Sequence, residues 1–378
     1  MSDLKVKSSL HIDGDVTLSG IISGGYIYGD ASLLTGISGV SVPNIVYTTT
    51  TDVSGASFVS QNYLLGENSN SLFTTQKAII QYLAYVSLTT GFHSGGLADD
   101  NTTVLNNIES FDFSTLSSSA DFGDLSVARY AVAGSSSDAH GYTAGGTTGT
   151  ESNVIDRFLF ASSGNASDVG DMTSARHSCA GHSGGQYGYV SGGSESGGKT
   201  NIIERYLYTS SGNASDIGDL NEAKNGMAGC SSGTHGFACV GTNASSSLNT
   251  ITKFSFDAST TVTDHGDIAN ARDIATGISD LLNGMGYVCG GQTTGALSYI
   301  DRFSFESCVT STSHGDLYVA RYFAGGCNSS EYGFVCGGEE GSASSNTVLD
   351  RFSFVSNVTA TSFSSLVQPS YALCGFQS

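Results

Sequence analysis

Short apolar runs that end in glycine recur along most of the chain. Six copies begin 47 to 50 residues apart: TGFHSGG (90–96), HGYTAGG (140–146), YGYVSGG (187–193), HGFACVG (235–241), MGYVCGG (285–291) and YGFVCGG (332–338). A second apolar run follows every copy: IESFDF, IDRFLF, IERYLY, ITKFSF, IDRFSF and LDRFSF. Runs of this length with alternating apolar and polar residues predict short β-strands separated by glycine-rich turns.

A Gly-Asp pair ends each of five units and is followed by a basic residue. The basic residue always stands five positions after the aspartate: Asp124–Arg129, Asp171–Arg176, Asp219–Lys224, Asp267–Arg272 and Asp316–Arg321. Because glycine tolerates unusual backbone angles, we expect Gly-Asp to form a tight turn or a strand end. We expect the two charged residues to pair as a seam between neighbouring units. The other interpretation, a catalytic carboxylate, requires one distinctive site, whereas this pair occurs five times alike.

Together the units predict an all-β fold, a six-bladed β-propeller over residues 90–378. A repeat of roughly 40–50 residues with four strands is the signature of a propeller blade. The first copy begins at its second strand, and the C-terminal LVQPSYALCGFQS aligns with LYVARYFAGGCNS of the last complete unit. Residues near 369–376 are therefore expected to supply the missing strand and close the first blade, which covers both end edges of the array.

The order of these motifs resembles the kelch repeat. The resemblance is carried by the Gly-Gly that ends the second strand and by the Asp-Arg-aromatic third strand, and it covers residues 90–378. Kelch blades usually carry a tryptophan on the fourth strand, and this chain contains no Trp. The Gly-Asp element stands where that strand is expected, so the resemblance implies a kelch-like propeller with a different fourth strand.

The first 89 residues follow a different pattern. Residues 1–40 contain a hairpin signal at Asp13-Gly14 and short apolar runs, too few to bury a core without copies or partners. Residues 41–89 are expected to form a linker or neck with one helix near 74–86. The apolar stripe of that helix consists of Ile79, Tyr82, Leu83 and Val86. A three-stranded bundle would bury this stripe and make these the trimerisation residues, although packing on the propeller would also bury it.

Charge and hydropathy exclude several classes of partner. The chain of 378 residues has 34 acidic and 14 basic residues and a formal charge of −20. Its basic residues are scattered, whereas nucleic acid or an anionic membrane requires them in clusters. The excess of acidic residues is also explained by solubility alone, without any specific partner. No stretch approaches the length of a membrane span, and residues 1–15 lack the apolar core of a secretory signal.

The cysteines and histidines indicate neither a metal nor another cofactor. Eight cysteines occur without a CxxC pair, and the eight histidines show no metal-ligand spacing. Cys239, Cys289 and Cys336 share one repeat position, which other copies fill with Ser or Ala. We therefore expect small buried side chains in a reducing cytoplasm, rather than disulfides or metal ligands.

The N-terminal motifs resemble those of phage proteins. GDVTLSGIISG…GDASLLTGI, followed by TTQKAIIQYLAYV, is similar to the attachment and neck regions of tail-fibre and appendage proteins. The resemblance implies a homotrimeric virion component, assembled in the host cytoplasm, that attaches to other virion proteins through residues 1–40. Its propeller would then recognise a glycan or a protein on the host surface. A purely structural capsid or tail decoration protein is the alternative.

Candidate receptor-binding residues lie in the variable loops between second and third strands. These loops should emerge on one propeller face, because strand directions alternate within a blade, and loop variation leaves the core untouched. The candidates are Asp99, Asp100, Asn101, Glu151, Glu195, Lys199, Asn243, Gln292, Glu339 and Glu340. Each of them could equally be an ordinary solvated loop residue. A polysaccharide-degrading enzyme is the weakest hypothesis, since no copy departs from the repeat to supply paired carboxylates or an arginine cluster.

Overall fold

The computed structural model describes residues 89–256, 261–341 and 345–377. All regular elements in these ranges are β-strands, and none of the described residues forms a helix that could span a membrane. The expected hairpins of residues 1–40, the helix near 74–86 and its stripe of Ile79, Tyr82, Leu83 and Val86 lie outside the described residues.

Six antiparallel four-stranded sheets form the blades of a propeller, which confirms the predicted fold. From the axis outward, blade 1 contains β28 (Cys374–Gln377), β1 (Thr90–Ser94), β3 (Asn107–Asp112) and β4 (Ala120–Asp124). Blade 2 contains β5 (Ala133–Ser136), β6 (His140–Ala144), β7 (Val154–Leu159) and β8 (Ser167–Asp171). Blade 3 contains β9 (Ala180–Ser183), β10 (Tyr187–Ser191), β13 (Ile202–Leu207) and β14 (Ser215–Asp219).

The remaining three blades follow the same order. Blade 4 contains β15 (Ala228–Ser231), β16 (His235–Cys239), β17 (Thr250–Ser255) and β18 (Val262–Asp267). Blade 5 contains β19 (Thr276–Asp280), β20 (Met285–Cys289), β21 (Tyr299–Ser304) and β22 (Thr312–Asp316). Blade 6 contains β23 (Gly325–Asn328), β24 (Tyr332–Cys336), β25 (Val348–Ser353) and β26 (Thr361–Ser365). Two short pairs complete the set: β2 (Leu97–Ala98) with β27 (Ser370–Tyr371), and β11 (Ser194–Glu195) with β12 (Gly198–Lys199).

The C-terminal strand closes the ring, as the sequence predicted. β28 pairs antiparallel with β1, with Phe92 opposite Phe376 and Ser94 opposite Cys374, and β27 pairs with β2. Phe376 is fully buried. Without this strand the backbone of β1 would be an unpaired sheet edge facing the axis.

One aromatic contact is repeated at all six interfaces between blades. The aromatic residue of each second strand packs on the last aromatic residue of the second apolar run of the next blade, with ring centroids 4.3 to 5.0 Å apart. The pairs are Phe92–Phe160, Tyr142–Tyr208, Tyr189–Phe256, Phe237–Phe305, Tyr287–Phe354 and Phe334–Phe113. Aromatic rings packed in this way bury large apolar areas, so this contact explains why the spacing of the aromatic residues is constant from unit to unit. The contact is made by Phe and Tyr alone, in a chain that contains no tryptophan.

The repeated basic residue is buried, but its partner is not the one expected. Arg129 forms an ion pair with Asp156 (2.6 Å), the acid of the third strand in the blade that Arg129 leads into. The same acid accepts a hydrogen bond from the Ser126 N–H, so it fixes the connection between two blades. The equivalent pairs are Arg176–Glu204 and Arg272–Asp301 at 2.6 Å each, and Arg321–Asp350. The predicted seam through the aspartate of Gly-Asp was therefore wrong.

Gly-Asp does end the outer strands, as expected, and its glycine permits a close approach between blades. A Cβ on Gly170 would lie 2.3 Å from the carbonyl oxygen of Gly212 in the next blade. The N–H of Asp171 donates to Asn213 Oδ1 at 3.1 Å. The aspartate backbone thus joins neighbouring blades, while its carboxylate stays partly exposed and the buried arginine pairs elsewhere.

All eight cysteines are free, and seven of them are buried. The expectation of small buried side chains is confirmed for Cys239, Cys289 and Cys336, each at most 1% exposed. Burial raises the pKa of the thiols of Cys179 and Cys374 to about 11. Cys308 is the exposed exception.

Blades 1 and 4 depart from the arginine–carboxylate pattern. In blade 1, Ser370 takes the arginine position and His93 instead contacts Glu109, with 3.1 Å between His93 Nε2 and Glu109 Oε2. Burial favours a higher pKa for Glu109, but hydrogen bonds from His93 and Ser119 hold it at about 2. In blade 4, Thr252 replaces the third-strand acid, and Lys224 replaces arginine. Lys224 is fully buried, and its Nζ donates to Ala238 O and Thr252 Oγ1, both at 3.2 Å.

The missing acid should make Lys224 sensitive to pH. Burial lowers the pKa of Lys224 to about 8, and the charges of Cys239, Glu222 and Asp264 only partly oppose this shift. The pKa of lysine in the unfolded chain is ~10.4, so at pH values between these two pKa values the unfolded state binds a proton that the folded state lacks. The contribution of Lys224 to the free energy of unfolding therefore rises with pH in this range. We expect the unfolding free energy of the wild type, relative to Lys224→Met, to increase by up to about 3 kcal/mol from pH 7 to pH 10.5.

Urea unfolding of both chains across this pH range measures the difference. Subtracting the unfolding free energy of Lys224→Met from that of the wild type removes the contributions of buried tyrosines and cysteines, which titrate in the same pH range. Lys253→Met is the matched control, because Lys253 is only half-buried and lies on the third strand of the same blade. A wild-type minus Lys224→Met difference that stays constant with pH would contradict the assignment.

Candidate binding site at the mouth of the axial channel

The inner strands approach so closely at the axis that only glycine fits. Around the ring, Gly134, Gly181, Gly229, Gly277, Gly326 and Gly375 form a glycine collar. A Cβ on Gly181 would lie 2.1 Å from Gly134 O, and one on Gly229 would lie 2.3 Å from Gly181 O. The collar divides the axial channel into two cavities of about 130 and 120 Å³. The first is lined mainly by small and apolar residues, and the second by serines and Asn328 together with Ile278, Leu281 and Cys327.

A closed ring of backbone hydrogen bonds frames the first cavity. It is formed by the residue two positions after each basic residue or its equivalent, with φ between 54° and 63° in all six blades. Each N–H donates to the carbonyl of the equivalent residue in the preceding blade over 2.7 to 3.1 Å. The six residues are Ala131, Ser178, Gly226, Ile274, Phe323 and Ala372. A left-handed backbone is unfavourable for Ile and Phe, so the ring of hydrogen bonds must hold it in place.

The residues directly before this frame form a second ring, here called the mouth ring. Its members are Tyr130, His177, Asn225, Asp273, Tyr322 and Tyr371, all half-buried. Each bridges through its backbone to the loop between the second and third strands of its blade, as Tyr322 does to Glu339. These loops therefore lie around the channel mouth at one end of the propeller.

The mouth ring breaks the sixfold repetition. Tyrosine occupies the position in blades 6, 1 and 2, whereas blades 3, 4 and 5 have His, Asn and Asp. Sequence reasoning missed these residues, although a signal was present: the position after the basic residue varies inside a constant frame. Variation on a rigid frame is how repeat scaffolds acquire a binding site.

On the tyrosine side, three aromatic rings follow one another along the mouth. The Tyr322 and Phe323 centroids are 5.7 Å apart, and those of Phe323 and Tyr371 are 6.0 Å apart, with 50° between the ring planes in both pairs. Tyr371 Oη donates to Asn101 Oδ1 at 2.8 Å. Burial and the neighbouring Glu339 carboxylate raise the pKa of Tyr322 to about 12. We call Tyr322, Phe323 and Tyr371 the aromatic arc.

The structure brings some of the predicted loop residues to this mouth. Asn101 and Glu339 contact the aromatic arc, and Gln292 bridges to Asp273 of the mouth ring. Burial raises the pKa of Asp273. Burial lowers the pKa of His177, and the charge of Glu151 opposes that shift.

Most of the other predicted residues are engaged in linking loops. Asp99 accepts a hydrogen bond from Ser345 N–H of the neighbouring blade at 2.8 Å, and Lys199 donates to Asn243 O at 2.5 Å. Three further side-chain pairs hold the loops: Ser174–Glu195 (2.7 Å), Asn243–Glu222 (2.9 Å) and Asn346–Glu340 (2.6 Å). Asp100 stabilises its own loop, and hydrogen bonds from Thr103 and Thr102 lower its pKa to about 2.

The mouth face is acidic. In the described ranges, five basic residues are buried in the connections between blades, and five more lie on third strands. The third-strand cations lie away from the mouth: Arg205 is 4.4 Å from the Tyr187 ring centre and Arg351 is 4.6 Å from that of Tyr332, at the start of the second strands. Lys199 is thus the one basic residue of the described loops between second and third strands. These loops and the mouth ring together contain seven acids: Asp99, Asp100, Glu151, Glu195, Asp273, Glu339 and Glu340.

Among the described residues, no group of three or more His, Cys, Asp or Glu side chains is placed to hold a metal ion. The aromatic arc and its neighbouring oxygen acceptors are suited to holding a ligand by stacking and hydrogen bonding. The likenesses to kelch repeats and to phage fibres stay at the level of sequence motifs. The chain matches no model of a known protein family and no curated protein.

Proposed function

We propose that this protein is a binding protein whose ligand engages the channel mouth. The observation that carries the proposal is the mouth ring, where six equivalent positions on one constant backbone frame hold four different residue types. A ring that served only to close the propeller would have no need for three tyrosines on one side. Their half-buried rings leave aromatic surface at the entrance of a cavity.

At a finer level, we propose a homotrimeric virion fibre or appendage protein that binds a glycan or protein on the host surface. Support comes from the phage-like motifs of residues 1–40 and of the neck, and from the acidic mouth face, which is unsuited to nucleic acid. In this proposal residues 1–40 attach to other virion proteins, and residues 41–89 form the neck that trimerises through Ile79, Tyr82, Leu83 and Val86. We propose binding without catalysis, in a virion assembled in the host cytoplasm.

A structural decoration protein is the second candidate. It is favoured by the loop-to-loop hydrogen bonds of Asp99 and Lys199, which show that part of the mouth face stabilises the propeller itself. A decoration role requires no ligand at the mouth, so the two candidates differ in an observable way.

Adsorption of the full-length protein to candidate host bacteria tests the proposal. We expect saturable binding that blocks infection, and a loss of about tenfold or more in affinity for the double variant Tyr322→Ala/Tyr371→Ala. Val355→Ala is the matched control, because Val355 is 87% exposed on a loop beyond the end of a third strand, away from the mouth. Folded trimer that does not adsorb to the host of the virus that carries it would contradict receptor binding and favour the decoration role.

A further inference from the structure

We propose that the aromatic arc binds a sugar residue that carries no negative charge. This inference rests on the proposed function of the mouth and specifies the ligand class. Three properties of the arc carry it: the contiguous aromatic surface, the hydrogen-bond acceptors beside it, and the charge around it.

The three aromatic rings form one contiguous aromatic surface. The ring centroids of Tyr322 and Phe323 are 5.7 Å apart and those of Phe323 and Tyr371 are 6.0 Å apart, with 50° between the ring planes in both pairs. Phe323, which contacts both tyrosines, offers no polar atom, so this part of the surface is apolar and suits the C–H face of a pyranose. Tyrosines are good platforms because they present a large rigid surface at a low entropic cost. Here the bond from Tyr371 Oη to Asn101 removes further freedom before a ligand arrives.

Oxygen acceptors lie beside two of the rings. Glu339 lies beside Tyr322, and Asn101 lies beside Tyr371. Sugar hydroxyls donate hydrogen bonds, and a bond to a carboxylate is stronger than one to a neutral oxygen. A site that combines apolar stacking with a few fixed polar groups is typical of small-ligand recognition.

The charge of the mouth face selects against anionic sugars. Sialic acid, uronic acids and sulfated sugars require arginine or lysine partners, and like charges across an interface are costly. Lys199, the basic residue of these loops, already donates to Asn243 O at 2.5 Å. The carboxylates of Glu339, Asp100 and Asp99 would instead repel an anion near the arc.

A cationic peptide is the competing ligand, because aromatic rings next to carboxylates also attract ammonium and guanidinium groups. Recognition of such cations typically uses an aromatic cage. In the arc both tyrosines contact Phe323, whose ring carries no polar atom. This apolar member between the two tyrosines favours a sugar, and the polylysine peptide in the experiment below separates the two ligands.

A glycan array probed with the full-length protein at two salt concentrations tests the inference. The array pairs neutral hexose and N-acetylhexosamine termini with the same structures capped by sialic acid, uronic acid or sulfate, and it includes a polylysine peptide. We expect binding to neutral termini only, with little change between 50 and 500 mM salt. Tyr371→Ala should weaken it about tenfold, whereas Tyr371→Phe should retain most of it, since the ring remains.

Control variants and alternative outcomes separate this inference from the proposed function. Tyr299→Ala removes an exposed tyrosine outside the mouth ring and should bind like the wild type, and unchanged melting temperatures exclude misfolding. Binding to anionic termini only, or to polylysine only, overturns the sugar class chosen here. Absence of any glycan binding, together with host adsorption that still depends on Tyr322 and Tyr371, overturns the sugar inference but supports the mouth as a binding site. Host adsorption that is unchanged in the mouth variants overturns both the sugar inference and the proposed binding at the mouth.

Discussion

Deletion of residues 370–378 is expected to abolish folding of the propeller. The deletion removes β27 and β28, and it leaves the backbone of β1 unpaired at the axis. It also opens the frame at the mouth, because the Ala131 N–H and the Phe323 carbonyl both pair with Ala372. Loss of the fully buried Phe376 side chain alone would cost about 3–5 kcal/mol, a large part of the roughly 5–15 kcal/mol that stabilises a typical domain.

Circular dichroism and size-exclusion chromatography of the truncated chain measure the effect. We expect no cooperative melting transition and an aggregated or expanded chain, because an open sheet edge recruits other strands. A synthetic peptide of residues 366–378 added during refolding is the matched rescue and should restore part of the native signal. A truncated chain that melts cooperatively near the wild-type temperature would show that closure is not needed for stability.

Gly181→Ala is expected to destabilise the propeller strongly for a single methyl addition. A Cβ at this position lies 2.1 Å from Gly134 O and 2.9 Å from other backbone atoms of the same residue, so two inner strands must separate. Overpacking a rigid site costs about 1–3 kcal/mol and occasionally more, and here the obstacle is backbone that cannot rotate away. Because the collar is a closed ring, displacing one strand also strains its neighbours. We therefore expect the free energy of unfolding to fall by at least about 3 kcal/mol.

Gly185→Ala is the matched control in the same blade. Gly185 lies in the hairpin between β9 and β10, and no atom lies within 4 Å of its added Cβ. The same chemical change should therefore alter the unfolding free energy by at most about 1 kcal/mol, in a direction set by the unfolded chain. Equal effects of the two substitutions in urea unfolding would disprove the close approach at the collar.

The ion-pair seam illustrates why a correct residue can be assigned a wrong partner. Each arginine has one aspartate five positions before it and one acid 27 to 29 positions after it, and the sequence alone suggests the nearer one as the partner. Burial decides otherwise, since Arg129 and Asp156 are both fully buried whereas Asp124 is partly exposed. The chain did contain a clue: the acid becomes Thr252 where arginine becomes Lys224.

The binding site was predictable only in outline. The loops between second and third strands do lie at one end, but Asp99 and Lys199 are engaged in holding the loops together. Asn101 and Glu339 contact the aromatic arc, whose own tyrosines were not among the candidates. The tyrosines directly follow the buried basic residues of the repeat. An interpretation based on the repeat alone assigns such positions to the scaffold, so these tyrosines were overlooked.

The sequence by itself determined the number of blades, the four strands of each and the closure by residues near 369–376. These properties follow from spacing and alternation, which are local and repeated six times. Only the tertiary structure decided which acid faces each arginine, why the inner strands carry glycine, and which side chains surround the channel. Those are relations between residues of different blades, brought together when the ring closes, and no spacing along one unit specifies them.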